Sequence, residues 1–294
     1  MHPRPLAFRL ALIPLLTLLL AACSPRQLLL REAADALATQ GATDEQDLVL
    51  AREASAFYFK LSESVLAQTP GHLGLSESVA AGLTRYAYAF VALPAEQIER
   101  RDIQAAQAQR QRAARLYARA QGHALAALTL RHPDLMQTLD KPQAALALTD
   151  DEVGCAYWAA AAWGARIALS KDEPEVVADL PRAVRLAQAA YARQPRWGDG
   201  ALASLMGSFE AARPGGSVAL ATRYFDQAIE WAGTHNASVW LAKAEGIAQP
   251  AGDRAAFETL LRQAQRAAAA RPDLSNQLMR DRAQWLLDQA ADLF

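Results

Sequence analysis

The residues with the plainest chemical assignment stand near the start of the chain. Leu20-Ala21-Ala22-Cys23 sets small residues directly before a cysteine, at the end of the apolar run Leu10 to Leu20, which only Pro14 and Thr17 interrupt. Arg4 and Arg9 give that run a positive preface. The run is too short to span a bilayer, which takes about 20 residues. Its small-residue end has the form of an export-signal cleavage site. A thiol so placed can take a diacylglycerol; the bond before it is then cut, and the new amino group can take another acyl chain. One chain holds a protein to a membrane marginally, whereas two or more anchor it stably. On this reading residues 1–22 are a lipoprotein signal peptide and Cys23 is the lipid-attachment residue. The mature protein is then periplasmic and lipid-anchored. Ser24, where an aspartate would favour retention at the inner membrane, points to the outer one. The plainer alternative is an ordinary secretory signal with an incidental cysteine.

Elsewhere the chain offers little chemistry. His72, His123, His132 and His235 are far apart and show no metal-ligand spacing, so no metal site is assigned. Cys155, left without an intramolecular partner once Cys23 is acylated, reads as a small buried apolar residue. There is no Gly-x-Ser-x-Gly and no Gly-rich phosphate loop with a lysine. Arg213-Pro214-Gly215-Gly216-Ser217 could offer amides to an anion, but a turn between helices is the simpler reading. Carboxylates fall in mixed-charge runs such as Glu96-Gln97-Ile98-Glu99-Arg100-Arg101-Asp102, the pattern of a solvated helix face. No catalytic residue and no cofactor is assigned, and an enzyme is not expected. Losing Arg4 and Arg9 with the signal moves the formal charge from −1 to −3, which gives no basic stripe for nucleic acid.

The aromatic residues are the informative set. Tyr157 and Trp158 point about 100° apart on a helix, and Trp163 follows five and six residues further on. Trp197, Trp231, Trp240, Trp285, Phe209, Tyr224 and Phe225 add further large side chains. Such residues wedge helices together, and they also line apolar ligand cavities. Both roles stay open at this level.

Helices must position them. Alanine, leucine, arginine, glutamine and glutamate dominate, and alternating apolar-polar runs are missing, so the fold class is all-α. Asp44 to Gln68 reads as a helix with Leu50, Ala54, Phe57, Leu61 and Val65 on one face, capped by Thr43 or Asp44 and stopped by Pro70-Gly71. A second helix is expected from about Ser76 to Leu93, before Pro94, and a long one from about Ala95 to His132. Thr149-Asp150-Asp151-Glu152 is a capping box for a helix reaching about Ser170. That helix is apolar nearly all round and should lie inside the protein. Residues 23–43 form a lipid-anchored tether with a short helix, and 44–294 one all-helical domain. Ala183-Val184-Arg185-Leu186-Ala187-Gln188-Ala189-Ala190 lines up with Ala221-Thr222-Arg223-Tyr224-Phe225-Asp226-Gln227-Ala228, and Asp253-Arg254-Ala255-Ala256-Phe257 follows 32 residues later. Small residues at helix crossings, an aromatic wedge and proline at the turn are tetratricopeptide features, here irregularly spaced. The expectation is a degenerate, compact tetratricopeptide-like array of helical hairpins, with a plain bundle as the alternative. Such arrays leave curved inner surfaces that take peptides, partner helices or apolar molecules.

Several stretches together resemble the T components (TatT) of tripartite ATP-independent periplasmic (TRAP) transporters. They are Leu116-Tyr117-Ala118-Arg119-Ala120 with Leu130-Arg131-His132-Pro133; Tyr157-Trp158-Ala159-Ala160-Ala161-Ala162-Trp163-Gly164; Gly198-Asp199-Gly200-Ala201-Leu202; Arg213-Pro214-Gly215-Gly216-Ser217 with Ala221 and Tyr224-Phe225-Asp226-Gln227-Ala228; and Arg282-Ala283-Gln284-Trp285-Leu286-Leu287 with Asp292-Leu293-Phe294. The resemblance implies an all-helical lipoprotein able to form a homotrimer. It implies a pore or apolar pocket in the protomer, and partnership with a periplasmic solute-binding protein carrying an apolar small molecule. It puts Tyr157, Trp158 and Trp163 near the pocket, with Phe209 and the Gly198–Leu202 segment next. The sequence departs from the family pattern at Ala203-Ser204-Leu205-Met206-Gly207, where a histidine or bulky aromatics are expected. The rival reading is a helical-repeat scaffold for protein-protein interactions in envelope assembly.

Overall fold

A computed structural model describes residues 25–39 and 47–294, and every regular element among them is helical. The signal peptide, Cys23 and the expected Thr43 or Asp44 cap lie outside the described residues. The first part of the chain forms α1 (Pro25–Thr39), α2 (Leu48–Leu66), α3 (Leu73–Ala87), a π-turn at Tyr88–Ala92, α4 (Leu93–Ile98), α5 (Ile103–Arg131) and α6 (Leu135–Asp140). A 3-10 turn, Asp150–Glu152, leads into α7 (Val153–Leu169), followed by α8 (Pro174–Val177) and α9 (Leu180–Arg193). Then come α10 (Ala201–Ala212), α11 (Val218–Ala232), α12 (Ala237–Lys243), a second π-turn at Ala244–Ala248, α13 (Arg254–Ala270), α14 (Leu274–Asp288) and α15 (Ala290–Leu293).

Helix α7 is the hub. Its alanines Ala156, Ala159 and Ala160 are fully buried, and so are Ala120 and Ala124 of α5. Side chains this small let α5 and α7 approach closely along much of their length. Helices α3, α9 and α10 pack around the rest of α7. The capping box forms: Glu152 accepts the Thr149 amide at 2.8 Å and bonds the His132 ring at 3.1 Å, tying the start of α7 to the end of α5.

The repeated segments occupy equivalent places. Ala187, Phe225 and Phe257 sit at matching positions of α9, α11 and α13, and all three are fully buried. The Phe225 ring is held between two glycines: a Cβ on Gly207 would stand 2.9 Å from it, and one on Gly246 3.0 Å. Small residue against aromatic wedge is therefore the hairpin contact here, and the fold is an all-helical array of hairpin-like pairs. In the Arg213–Ser217 connector, Glu210 accepts the Ser217 amide at 2.7 Å and pairs with Arg213. The chain's own carboxylate fills the anion position that the turn offers.

Four features differ from the sequence expectation. Asp47 caps α2, accepting the Val49 and Leu50 amides. Pro94 does not end its helix, because the π-turn before it widens the backbone where the ring would otherwise clash, and the break falls at 99–102. Helix α1 docks on the domain, with Ala34 fully buried and the Tyr58 hydroxyl donating to the Leu37 carbonyl. The apolar stripe of α2 faces solvent: Leu50, Ala54, Phe57 and Leu61 are exposed, while Ala51, Phe59, Ser62 and Leu66 pack inward. Among the described residues no helix is long and apolar enough to cross a membrane.

Candidate functional site

An open solenoid keeps its first and last units apart. This chain brings them together. Arg282 of α14 donates to Glu96 of α4 at 2.8 Å, and Arg100, just beyond α4, pairs with Asp292 of α15 at 2.6 Å. Tyr88, in the first π-turn, packs against the apolar cluster of α12, α13 and α14. Arg282 also reaches Glu245 in the second π-turn and lies 5.8 Å from the centre of the Trp285 ring. Both π-turns therefore meet at this closure. Such bulges widen a helix locally and recur at functional sites.

Burial opposes the Arg282 charge, but Tyr88, Glu245 and Glu96 outweigh it and hold its pKa above the ordinary value. Burial pushes the Glu245 carboxyl up, against the pull of Arg282. It also pushes the Tyr88 hydroxyl up.

A second set of side chains lies where α3 faces α7. Arg85 holds its guanidinium 4.7 Å from the centre of the Trp158 ring. Trp158 meets Tyr157 edge-on at 4.9 Å, and Tyr157 meets Trp197 at 4.4 Å. Tyr157 and Trp158 are only partly buried, and Arg85 is exposed. Burial is nevertheless the largest influence on two of them. It pushes the Arg85 guanidinium down, opposed by Tyr157, Glu77 and Asp273, and pushes the Tyr157 hydroxyl up to about 12. We take this partly exposed aromatic cluster, a shallow recess at the α3–α7 surface, as the candidate site; the more open cleft of the described residues lies elsewhere, between Lys60, Glu63, Arg119 and His123. Along α7 the accessible stripe continues through Ala161, Gly164 and Ala165, one face of the helix.

The recess is apolar in its walls and carries uncommitted donors. Among the described residues no hydrogen-bond acceptor lies on the Arg85 guanidinium, the Tyr157 hydroxyl, or the Trp158 and Trp197 ring nitrogens. Glu77 lies against α7 at the buried Gly154, and burial pushes its carboxyl up, opposed by Arg85. Trp197 is delivered by a turn of three successive left-handed residues, Gly198, Asp199 and Gly200, at φ 63°, 50° and 87°. A left-handed aspartate is strained by about 1–2 kcal/mol, and such strain collects where geometry serves a purpose.

The aromatic residues singled out in the sequence thus separate. Tyr157 and Trp158 are brought together in the recess. Trp163 is buried among α7 neighbours with its ring N–H 3.3 Å from Asp179, and Phe209 is buried against Gly164, where a Cβ would stand 2.7 Å from its ring. Sequence reasoning missed Arg85, Tyr88, Glu245 and Arg282, and it named Trp197 among the large aromatics without placing it beside Tyr157. The Gly198-Asp199-Gly200 run was the available signal for Trp197; contacts between distant helices place the others. Cys155 is fully buried and donates to the Leu73 carbonyl at 3.4 Å, and burial pushes its thiol up, so it is no nucleophile. Among the described residues there is no cluster able to hold a metal ion.

The class that the fold defines is an all-helical array of hairpin-like pairs. Comparison makes this specific: residues 44–294 match the family model of the TRAP transporter T-component, and the chain belongs to that family. It is 28% identical over 275 residues to a Treponema pallidum (strain Nichols) protein that bears the name "Uncharacterized protein", covering 88% of this chain and 84% of that one. The family is one of transporter components.

Proposed function

We propose that this protein is the lipid-anchored periplasmic accessory component of a TRAP transporter, which binds an apolar small molecule and passes it to or from a solute-binding protein. Family membership supports the transporter role. The observation that carries the ligand reading is the recess itself, where Tyr157, Trp158 and Trp197 present apolar surface beside Arg85. Apolar walls with a few convergent polar groups are what small-molecule sites use. Tyr157 and Trp158 are the contact residues of this reading, and Arg85 meets the polar end of the guest. Trp163 and Phe209 support them from the packed interior. The protein acts by binding and not by catalysis, anchored through acyl chains on Cys23, at the outer membrane and as a homotrimer.

Closure of the array by Arg282 and Glu96 favours an enclosed guest over the open groove that a scaffold for envelope assembly would present. The test is titration calorimetry of this protein against a TRAP solute-binding protein of the same organism. A saturable complex that weakens when the recess residue Trp158 is changed to alanine is expected. No complex, with or without added apolar ligand, would overturn the reading.

A further inference from the structure

One surface is left over from this account. Helix α2 turns Phe57 outward at 74% exposure, with Val49, Leu50 and Leu61 also exposed beside it. Next to it lies α5, whose 29 residues include Arg110, Arg112, Arg115, Arg119 and Arg131 and no acidic residue. Glu63 of α2 binds both Arg119 and His123 of α5, so side chains bridge the open cleft between the two helices, which both pack on α3. Arg112 and Arg115 are exposed and form no ion pair among the described residues. On α2, Arg52 and Lys60 offset Glu53 and the buried Glu63, so the face as a whole is basic although the chain is not.

We propose that this α2–α5 face lies on a bilayer surface containing anionic phospholipids. Phe57, Leu50 and Leu61 would enter the headgroup region, while Arg112, Arg115 and Arg119 meet lipid phosphates. Arginine beside exposed aromatic and aliphatic side chains is the chemistry of an interfacial surface. A second copy docked through the same arginine-rich face, as in a two-fold contact, would repel it. Two further observations fix the orientation. Helix α1 begins two residues after Cys23, a reach of about 7 Å. Arg26, near its start, donates to Gln68 just past the end of α2 at 2.9 Å. An acyl chain on Cys23 therefore holds α2 within reach of the membrane, and Leu28 and Leu29 of α1 are exposed there too. The orientation rests on the Cys23 assignment; the affinity of the face does not.

The experiment uses unacylated chain from Ser24 onward, which contains every residue of the packed core clusters. It is sedimented with vesicles of phosphatidylcholine alone, or of phosphatidylcholine with phosphatidylglycerol. Binding to the anionic vesicles only, weakened by added salt, is expected. Each arginine near an anionic surface contributes about fivefold in partitioning, so Arg112→Glu with Arg115→Glu should abolish binding. Phe57→Ser should lower it severalfold. All three positions are exposed, and an unchanged thermal midpoint shows that the variants fold. No binding by the wild type, or binding that ignores both variants, overturns the proposal. So does a change in oligomeric state with Phe57→Ser without vesicle binding, which assigns the face to a second copy.

Discussion

Arg282 and Glu96 stand 186 residues apart in the chain and 2.8 Å apart in the fold. With Glu245 and Tyr88 beside it, this arginine joins the last helices of the array to the fourth. Arg282 is 10% exposed, and Glu245 keeps most of its side chain from solvent. Removing one partner of a buried pair costs about 3–5 kcal/mol because the other charge is left uncompensated.

Arg282→Met should therefore destabilise the protein by about 3 kcal/mol, lowering Tm by roughly 6–12 °C for a domain of this size. Glu96→Gln, at a more exposed partner, should cost less than about 1 kcal/mol. Thermal unfolding followed by circular dichroism separates the two. Equal effects would place the strength of the closure elsewhere.

The aromatic residues should divide by burial. Trp163→Ala empties a packed site and should cost about 3–5 kcal/mol. Trp158→Ala should cost markedly less, because that ring is partly open to solvent and Arg85 can turn to water. Urea unfolding of both variants checks this; a Trp158 variant as unstable as the Trp163 one would make the recess ordinary core.

Acid should loosen the joint between α5 and α7. Burial alone would raise the Glu152 carboxyl, but the Thr149 amide and the His132 ring outweigh it and hold its pKa below 4.5. A lowered folded value gives stability that is present above the unfolded value and lost as pH falls through the folded one. Glu152→Gln should then cost about 1.5–3 kcal/mol at pH 7, the worth of hydrogen bonds to a charged group. The difference from wild type should shrink as pH drops below about 4.5. Urea midpoints across that range read it directly, and a gap that persists in acid would contradict it.

Two left-handed glycines should respond differently. A Cβ on Gly200 would collide with the Ala228 carbonyl oxygen of the facing helix, and φ there is 87°. At Gly215, with φ 72°, a Cβ would meet nothing within 4 Å. Gly215→Ala should cost only the conformational penalty of about 1–2 kcal/mol. Gly200→Ala adds a backbone clash and should leave little folded protein at 37 °C. Comparable thermal midpoints would show that α10 and α11 can slide apart.

Helix composition, the Thr149 capping box and the repeat positions Phe225 and Phe257 were legible in the sequence because each is local or periodic. The recess was half legible. Tyr157 and Trp158 are adjacent in an apolar helix and stood out, whereas Arg85 reads as one more arginine until α3 packs on α7. The closure was invisible, since nothing local to Glu96 or Arg282 says that residues 186 apart will meet. The α2 stripe misled for a physical reason: helical periodicity shows that a face is apolar, not what covers it. Helix α2 buries Ala51, Phe59, Ser62 and Leu66 instead, where Phe59 lies against Gly82.

The central claim is that rings at Tyr157 and Trp158 bound a space that a guest enters. Native mass spectrometry of the freshly purified chain tests it most directly. A bound apolar molecule, removed by organic extraction and missing from a stably folded Trp158→Ala variant, is the predicted result. Wild-type protein that carries no such molecule, and takes up none when offered an extract of the cell envelope, would contradict it.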